Sequence, residues 1–166
     1  MAALEDYFLM ADEESTILLQ SYDASTPKFS IQYSAVEESS SIKSSSKQLR
    51  RIRKVGFDTT YHRDYFAFIS SEICCVYDVN DCVTIRNCSC SDAHRNDPNR
   101  FRSFAFSGNG TMLLLTDREL FKWDYCKNQS EDPELVRLYS ITKRVTLNDV
   151  AWSSSGNLIG SSRSSP

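Results

Sequence analysis

The strongest concentration of one charge in this 166-residue sequence lies at residues 43–54, which hold six lysines and arginines and no acidic residue. The preceding 42 residues carry the opposite charge, with eight acidic residues against one lysine. Clustered basic side chains can bind phosphate groups or direct nuclear import, which is one interpretation of residues 43–54. The alternative is that this segment is a solvated loop whose positive charge offsets the negative charge of the preceding residues. The candidate phosphate or partner contacts here are Arg50, Arg51, Arg53 and Lys54.

Catalysis and metal binding have few candidate residues. The six cysteines contain no C-x-x-C pair, and the two histidines, His62 and His94, fall in predicted turn or loop segments without a catalytic motif. Cys88, Cys90 and His94 are the one metal lead, whereas the alternative is that strand cysteines are small apolar core residues. No glycine-rich phosphate loop or paired-carboxylate motif is present. We predict no enzymatic activity, no cofactor, no metal and no small-molecule substrate, and keep a metal-dependent enzyme as a third hypothesis.

Composition narrows the class of protein further. Apolar residues make up 40% and charged residues 25%, which is enough apolar content for a packed core. A net charge of −3 argues against a protein that coats nucleic acid over its whole surface. The sequence lacks a long apolar run and a basic secretory leader, so we predict no membrane association. With thiols expected to be reduced, the predicted location is the nucleus, the cytoplasm or both.

A repeat with a period of 46 residues organises the sequence. Residues 77–78 (Tyr-Asp) recur as residues 123–124 (Trp-Asp), and residues 104–107 recur in type as residues 150–153 at the same spacing. Each unit contains short runs of β-branched and aromatic residues separated by turn residues, which is typical of antiparallel strands. An earlier Tyr-Asp pair at residues 22–23 marks a weaker first unit.

The repeat predicts element and unit boundaries. The predicted strands are 7–11, 16–22, 28–34, 65–70, 73–78, 82–87, 102–107, 112–116, 119–124, 134–141, 147–152 and 158–161, with a turn near 2–6 and tight turns at 80–81 and 108–110. The predicted units are 1–36, a serine-rich and basic loop at 37–54, 55–100, 101–146, and 147–166, the last ending in a disordered tail from 161. Six strand aromatics are expected in the core, namely Phe104, Phe106, Phe121, Trp123, Tyr139 and Trp152.

Four short strands per unit, with an aromatic-Asp pair closing the third, resemble a WD-repeat blade. The residues that carry this resemblance are 104–110 (FAFSGNG), 120–124 (LFKWD) and 150–158 (VAWSSSGNL), although no Gly-His dipeptide precedes any unit. The resemblance implies an all-β fold of antiparallel four-stranded blades, a partial WD-repeat-like β-propeller of about three and a half blades. Because propellers usually need at least four blades, we expect the sequence to be incomplete. The alternative is a complete open sandwich of about twelve strands.

A second basic set, Arg137, Lys143 and Arg144, flanks the last strand of the third unit and the loop that follows it. Residues 135–146 (LVRLYSITKRVT) and 114–117 (LLTD) are similar to the non-catalytic WD-repeat subunit of tRNA guanine-N(7) methyltransferase. That resemblance implies a scaffold that stabilises a methyltransferase and helps to hold tRNA, with Lys143 and Arg144 near the contact. The Asp-Lys-x-Gly-Asp stretch expected after Leu158 is missing.

The predicted function is therefore a non-catalytic scaffold that mediates protein–protein interaction within a larger complex. Rigid blades would hold charged and aromatic loops at one rim, where they meet a protein partner. The alternative function is an RNA-associated accessory subunit of a tRNA guanine-N(7) methyltransferase, in which the basic residues contact phosphates of tRNA.

Overall fold

A computed structural model describes residues 1–3, 6–12, 16–32, 51–58, 65–90, 100–108, 110–127, 134–141, 145–152 and 158–164. Strands dominate these residues, and no helix among them is long and apolar enough to cross a membrane. The strands are β1 (Ala2–Ala3), β2 (Tyr7–Ala11), β3 (Thr16–Ser21), β4 (Phe29–Gln32), β5 (Lys54–Asp58), β6 (Tyr65–Ile69), β7 (Ile73–Asp78), β8 (Thr84–Ser89), β9 (Phe101–Gly108), β10 (Thr111–Thr116), β11 (Glu119–Asp124), β12 (Leu135–Ser140), β13 (Val145–Trp152) and β14 (Leu158–Ser164).

The strands form four antiparallel sheets in which neighbours in sequence are neighbours in space. The first sheet has the order β1-β2-β3-β4, the second β5-β6-β7-β8, and the third β9-β10-β11-β12. In the described part of the chain the fourth sheet consists of β13 and β14. The first strands of successive sheets lie beside one another, β1 against β5, β5 against β9, and β9 against β13. The predicted all-β architecture of four-stranded antiparallel units is confirmed.

The 46-residue repeat appears directly in the turn between the second and third strands of a sheet. Ser70 Oγ accepts a hydrogen bond from the backbone N–H of Ile73 at 3.2 Å. Forty-six residues later, Thr116 Oγ1 accepts one from the N–H of Glu119 at 3.0 Å. A hydroxyl two or three residues before an N–H is a common way to satisfy a turn. Both units therefore close this turn with the same side-chain chemistry.

Apolar clusters between adjacent sheets hold the sheets together. Leu9 and Leu19 of the first sheet pack with Phe66 and Phe68 of the second. Every residue of β6 and β7 is buried, because the second sheet has a neighbouring sheet on each face. Burial of one large apolar side chain stabilises the fold by about 1.5–3 kcal/mol. Packing between sheets therefore supplies most of the stability.

The second and third sheets share the largest apolar cluster. In this cluster, the face of the second sheet that carries Cys74 packs against Met112 and Trp123 of the third sheet. The side chains of Cys74, Met112 and Trp123 are fully buried. A smaller cluster joins Leu113 and Leu115 of the third sheet to Val150 of the fourth. Of the six aromatics predicted in the core, Phe104, Phe106, Phe121 and Trp123 belong to or pack against the larger cluster.

Two aromatic predictions were wrong. Tyr139 is 60% exposed and Trp152 is 39% exposed. Tyr139 lies on β12, the outermost strand of its sheet, where residues 136–140 are all exposed. Trp152 is the last residue of β13. Strand position alone does not bury a side chain, because burial also requires a neighbouring sheet that covers that face.

Several predicted element boundaries also differ, and β5 (Lys54–Asp58), whose first residue was assigned to the loop at 37–54, was not predicted as a strand. The expected turn near residues 2–6 contains β1, in which Ala2 pairs with Leu9. The eighth strand begins at Thr84 rather than at residue 82, because Cys82 has φ 54° and belongs to the preceding turn. The last strand continues to Ser164, which pairs with Val145, so the expected disorder from residue 161 is wrong as far as Ser164.

Candidate anion-binding rim

We call β5, β9 and β13, the first strands of the second, third and fourth sheets, the inner strands. All three begin at the same end of the sheets. The backbone N–H of Phe101, at the start of β9, donates to the carbonyl of Ser71 in the turn of the second sheet at 2.9 Å. Forty-six residues later, the N–H of Leu147 donates to the carbonyl of Asp117 in the turn of the third sheet at 3.1 Å. β9 and β13 are thus each attached to the turn of the sheet before them.

A row of polar side chains crosses the three inner strands at this end. Lys54 Nζ donates to Ser103 Oγ at 2.8 Å and to Asp149 Oδ1 at 3.0 Å, and Ser103 Oγ also donates to Asp149 Oδ1. Partial burial alone would raise the pKa of Asp149, but the hydrogen bonds from Ser103 and Lys54 lower it below its usual value. The row therefore stabilises the fold at neutral pH, and its contribution is lost as the pH falls through the lowered pKa of Asp149.

Four arginines surround this row, and together they form what we term the arginine rim: Arg51, Arg53, Arg100 and Arg102. All four are exposed. Arg102 lies at a β-bulge where β9 pairs with β10, and its Nε donates to Asp117 Oδ1. Bulges redirect a side chain away from the sheet face, which places this guanidinium at the end of the sheet.

Arg53 experiences the charge of its neighbours on the rim. Its backbone N–H donates to the carbonyl of Ile69 at 2.8 Å, so Arg53 extends the β5–β6 pairing by one residue. Partial burial and the positive charge of Arg102 lower the pKa of Arg53, Asp117 raises it, and Arg100 lowers it. The rim thus concentrates like charge on one edge of the structure.

An open cavity of about 510 Å³ lies beside the rim, and its lining residues are Ala11, Asp12, Arg51, Ile52 and Arg53. Ala11 and Asp12, at the end of β2, form one wall, and Asp12 Oδ1 accepts a hydrogen bond from the N–H of Thr16 at 2.8 Å. The segment that leads into β5 forms the other wall. This volume lies within the range of small-molecule and side-chain binding sites.

Comparison with solved structures establishes the overall architecture. KlAtg21, solved in complex with the coiled coil of AgAtg16, matches 97% of this chain with a TM-score of 0.69 at 10% identity. The β-propeller domain of Cps50 (Swd1) from Myceliophteria thermophila matches 89% with a TM-score of 0.58 at 12% identity. The fold is a partial β-propeller. This chain covers 47% and 43% of those two chains, so it spans about half the length of the propellers it resembles.

The C-terminal WD40 domain of Sif2 matches 95% of the chain with a TM-score of 0.47 at 11% identity. No protein-family model matches the sequence, and no curated protein does either. The predicted partial β-propeller of four-stranded antiparallel blades is confirmed at the level of the fold.

The predicted contact residues have different positions in the propeller. Arg51 and Arg53 lie on the rim, whereas the ammonium of Lys54 is engaged by Ser103 and Asp149. Arg137 lies on the outermost strand β12, with Nη1 3.3 Å from Glu119 Oε1. The other predicted contacts lie outside the described residues, and they are Arg50, Lys143 and Arg144.

Sequence reasoning missed Arg100 and Arg102. Both precede or begin β9, about 50 residues after Arg51, and they join the cluster only because β5 and β9 are neighbours. The 46-residue repeat does not reveal this, because Arg102 lies about 49 residues after Arg53. The two positions are equivalent only in the structure, where Lys54 pairs with Ile69 and Ser103 pairs with Leu115.

The metal lead receives no support from the described part of the chain, which contains no group of three or more metal-ligating side chains. Cys88 and Cys90 are buried in the apolar cluster between the second and third sheets. His94, like His62, lies outside the described residues. All six cysteines are free.

Proposed function

We propose that this chain is a non-catalytic scaffold that binds a protein partner within a larger complex, and that the partner contacts the arginine rim. One observation carries the proposal. The exposed guanidinium groups of Arg51, Arg53 and Arg100 stand beside inner strands that are fixed to one another by the polar row. Charged side chains on a rigid frame favour recognition, because little conformational freedom is lost on binding.

The chemistry of the cysteines supports a non-catalytic function. Burial raises the pKa of Cys75, Cys82 and Cys126, so these thiols remain protonated at neutral pH. A protonated thiol is a poor nucleophile. Free, reduced cysteines are typical of the nucleus and cytoplasm, where we propose that the scaffold acts.

Site-specific photo-cross-linking in cells tests this function. A benzophenone amino acid replaces Arg118, which is exposed in the β10–β11 turn at the rim, or Ser30, which is exposed on the outer strand β4. We expect a discrete protein adduct from the first position and none from the second. Replacing Arg51, Arg53 and Arg100 together by glutamate should abolish the adduct.

A control that reverses two lysines elsewhere, matched to a rim variant in which only Arg51 and Arg53 become glutamate, separates the rim from general electrostatics. Lys122 and Lys127 are exposed in the third sheet and its following turn, away from the rim, so their replacement by glutamate should leave the adduct unchanged. Equal cross-linking from both probe positions, or an adduct that persists in the rim variant, would refute the scaffold function as stated.

The second candidate function is an RNA-associated accessory subunit of a tRNA guanine-N(7) methyltransferase. The observation that favours it is the path of the chain from Ser140, which ends β12, to Val145, which begins the inner strand β13. Lys143 and Arg144 immediately precede Val145 in the sequence. Filter binding of tRNA at increasing salt tests the function, because affinity should fall steeply with salt if phosphates are contacted. Salt-independent binding, or binding unaffected by Lys143→Gln and Arg144→Gln, excludes it.

A further inference from the structure

We propose that the cavity beside Arg51 and Arg53 binds a phosphate monoester carried by a protein partner, in the form of a phosphoserine or phosphothreonine side chain. This inference rests on the proposed scaffold function and names the group that the partner presents at the rim. The ligand is thus a single dianionic group on a peptide, held in a concave site between the first and second sheets.

The geometry of the cavity fits this group. Arg51 and Arg53 both line it and are two residues apart in the segment that leads into β5. The bond from the N–H of Arg53 to the carbonyl of Ile69 fixes the end of this segment. In an extended segment, side chains two residues apart point to the same side, so both guanidinium groups face one ligand. Each can donate two parallel hydrogen bonds to phosphate oxygens.

Within the described part of the chain, the two arginines that line the cavity lack the ion pairs that Lys54 and Arg102 form at this end. Lys54 and Arg102 form ion pairs with Asp149 and Asp117, respectively. Among the described residues, neither Arg51 nor Arg53 forms an ion pair. Burial, and then the positive charge of Arg102, lower the pKa of Arg53, so Arg102 repels the Arg53 guanidinium. A bound dianion would relieve this repulsion.

The positions of the carboxylates favour one phosphate group on a peptide over a nucleic acid backbone. Asp12 lines the cavity itself, and Asp117 and Asp149 lie further along the rim. A chain of consecutive phosphates would pass Asp117 and Asp149 as well as Asp12, whereas a single phosphate bound in the cavity meets only the Asp12 carboxylate. Ile52 and Ala11 add an apolar wall for the peptide that carries the phosphate.

Fluorescence anisotropy with a short labelled peptide tests the inference. Its central phosphoserine is flanked by glycine and alanine, and comparison probes carry serine or glutamate instead, or consist of single-stranded RNA. We expect the phosphopeptide to bind at least about tenfold more tightly than the glutamate peptide, because only phosphate supports paired bidentate contacts. Arg51→Gln with Arg53→Gln should weaken binding by roughly a hundredfold, about tenfold for each bidentate contact.

Two further variants make the result specific. Lys122→Gln with Lys127→Gln removes the same charge elsewhere and should leave binding unchanged. Arg51→Lys with Arg53→Lys retains the charge but loses the bidentate fork, so it should bind with intermediate affinity. Equal thermal denaturation midpoints for all variants establish that the fold is intact.

Three outcomes would overturn the inference. One is phosphopeptide binding that is unchanged in the double glutamine variant. Another is RNA that binds more tightly than the phosphopeptide and depends on the same two arginines. The third is a partner that cross-links at the rim while no phosphopeptide binds, which would leave the scaffold function standing and remove only its proposed ligand.

Discussion

Replacing Tyr125 by phenylalanine tests how the second and third sheets are joined at the end opposite the rim. The Tyr125 hydroxyl donates a 2.5 Å hydrogen bond to Oδ2 of Asp58, the last residue of β5. Both residues are buried, and the Tyr125 ring packs edge-on against Tyr65 and Phe106. The substitution keeps the ring and removes only the donor, so it isolates this one hydrogen bond.

The expected loss of stability follows from the burial of the acceptor. A hydrogen bond to a charged group contributes about 1.5–3 kcal/mol, and a buried carboxylate that loses a donor is costly. We therefore expect Tyr125→Phe to lower the free energy of unfolding at pH 7 by about 2 kcal/mol. For a domain of this size, that corresponds to a decrease of roughly 5 °C in the thermal midpoint.

The pH dependence gives a second, independent measure. Burial and the adjacent Asp58 carboxylate raise the pKa of Tyr125 well above its usual value. The hydroxyl therefore stabilises the folded state fully below about pH 9, and this contribution declines as the unfolded chain ionises around and above about pH 10. The difference between wild type and Tyr125→Phe should shrink by about 1 kcal/mol between pH 10 and pH 11, and by about 1.4 kcal/mol between pH 7 and pH 11.

Urea denaturation of the wild type, Tyr125→Phe and Tyr139→Phe at pH 7, 10 and 11 measures both effects. Tyr139 is exposed, so its hydroxyl can be removed with a change below about 0.5 kcal/mol at every pH. A loss below about 0.5 kcal/mol for Tyr125→Phe, or a difference that does not change above pH 10, would show that the Tyr125–Asp58 hydrogen bond does not join these sheets.

Three other substitutions probe the frame of the propeller, each by thermal or urea denaturation. Gly110→Ala should cost more than about 1 kcal/mol, because Gly110 has φ +72° and a Cβ would lie 2.6 Å from that of Cys126, whereas a Cβ at Gly160 would lie 3.9 Å from the carbonyl oxygen of Asp149, an ordinary contact, so Gly160→Ala should be nearly neutral. Met112→Ala should cost about 2–5 kcal/mol, since Met112 is fully buried, and a loss below about 1 kcal/mol would refute its core position. Lys54→Met should cost about 1 kcal/mol at low salt and less at high salt, and a salt-independent cost would contradict an electrostatic contribution from the polar row.

The fold was largely predictable from the sequence because the repeat is a physical property of each sheet. Residues at a spacing of 46 occupy the same place, so that Ile69, Leu115 and Ser161 pair with the inner strand at one level in three successive sheets. The positions of β7 and β11 follow directly from the pattern of apolar and turn residues. By contrast, β1 has only two residues, which is too short to produce a pattern.

The candidate site was only partly predictable, because it depends on contacts between strands that are distant in the sequence. Arg51 and Arg53 belong to a visible run of charge, but Arg102 is isolated in the sequence and reaches them only through the packing of β9 beside β5. The run of basic residues also predicted Lys54 as a partner contact. It did not indicate that the Lys54 ammonium donates hydrogen bonds to Ser103 and Asp149 instead.

The polar row consists of structurally equivalent positions in three successive sheets that carry different side chains. Lys54, Ser103 and Asp149 are equivalent positions, since they pair with Ile69, Leu115 and Ser161. An identical charged residue in all three sheets would place like charges side by side. The observed succession of a cation, a hydroxyl and an anion instead satisfies all three groups. It also specifies the order of the sheets, because exchanging two sheets would break the row. With Lys54 engaged in this way, the unpaired positive charge beside the cavity is left to Arg51 and Arg53, which is why the candidate ligand site lies next to the inner strands and not among them.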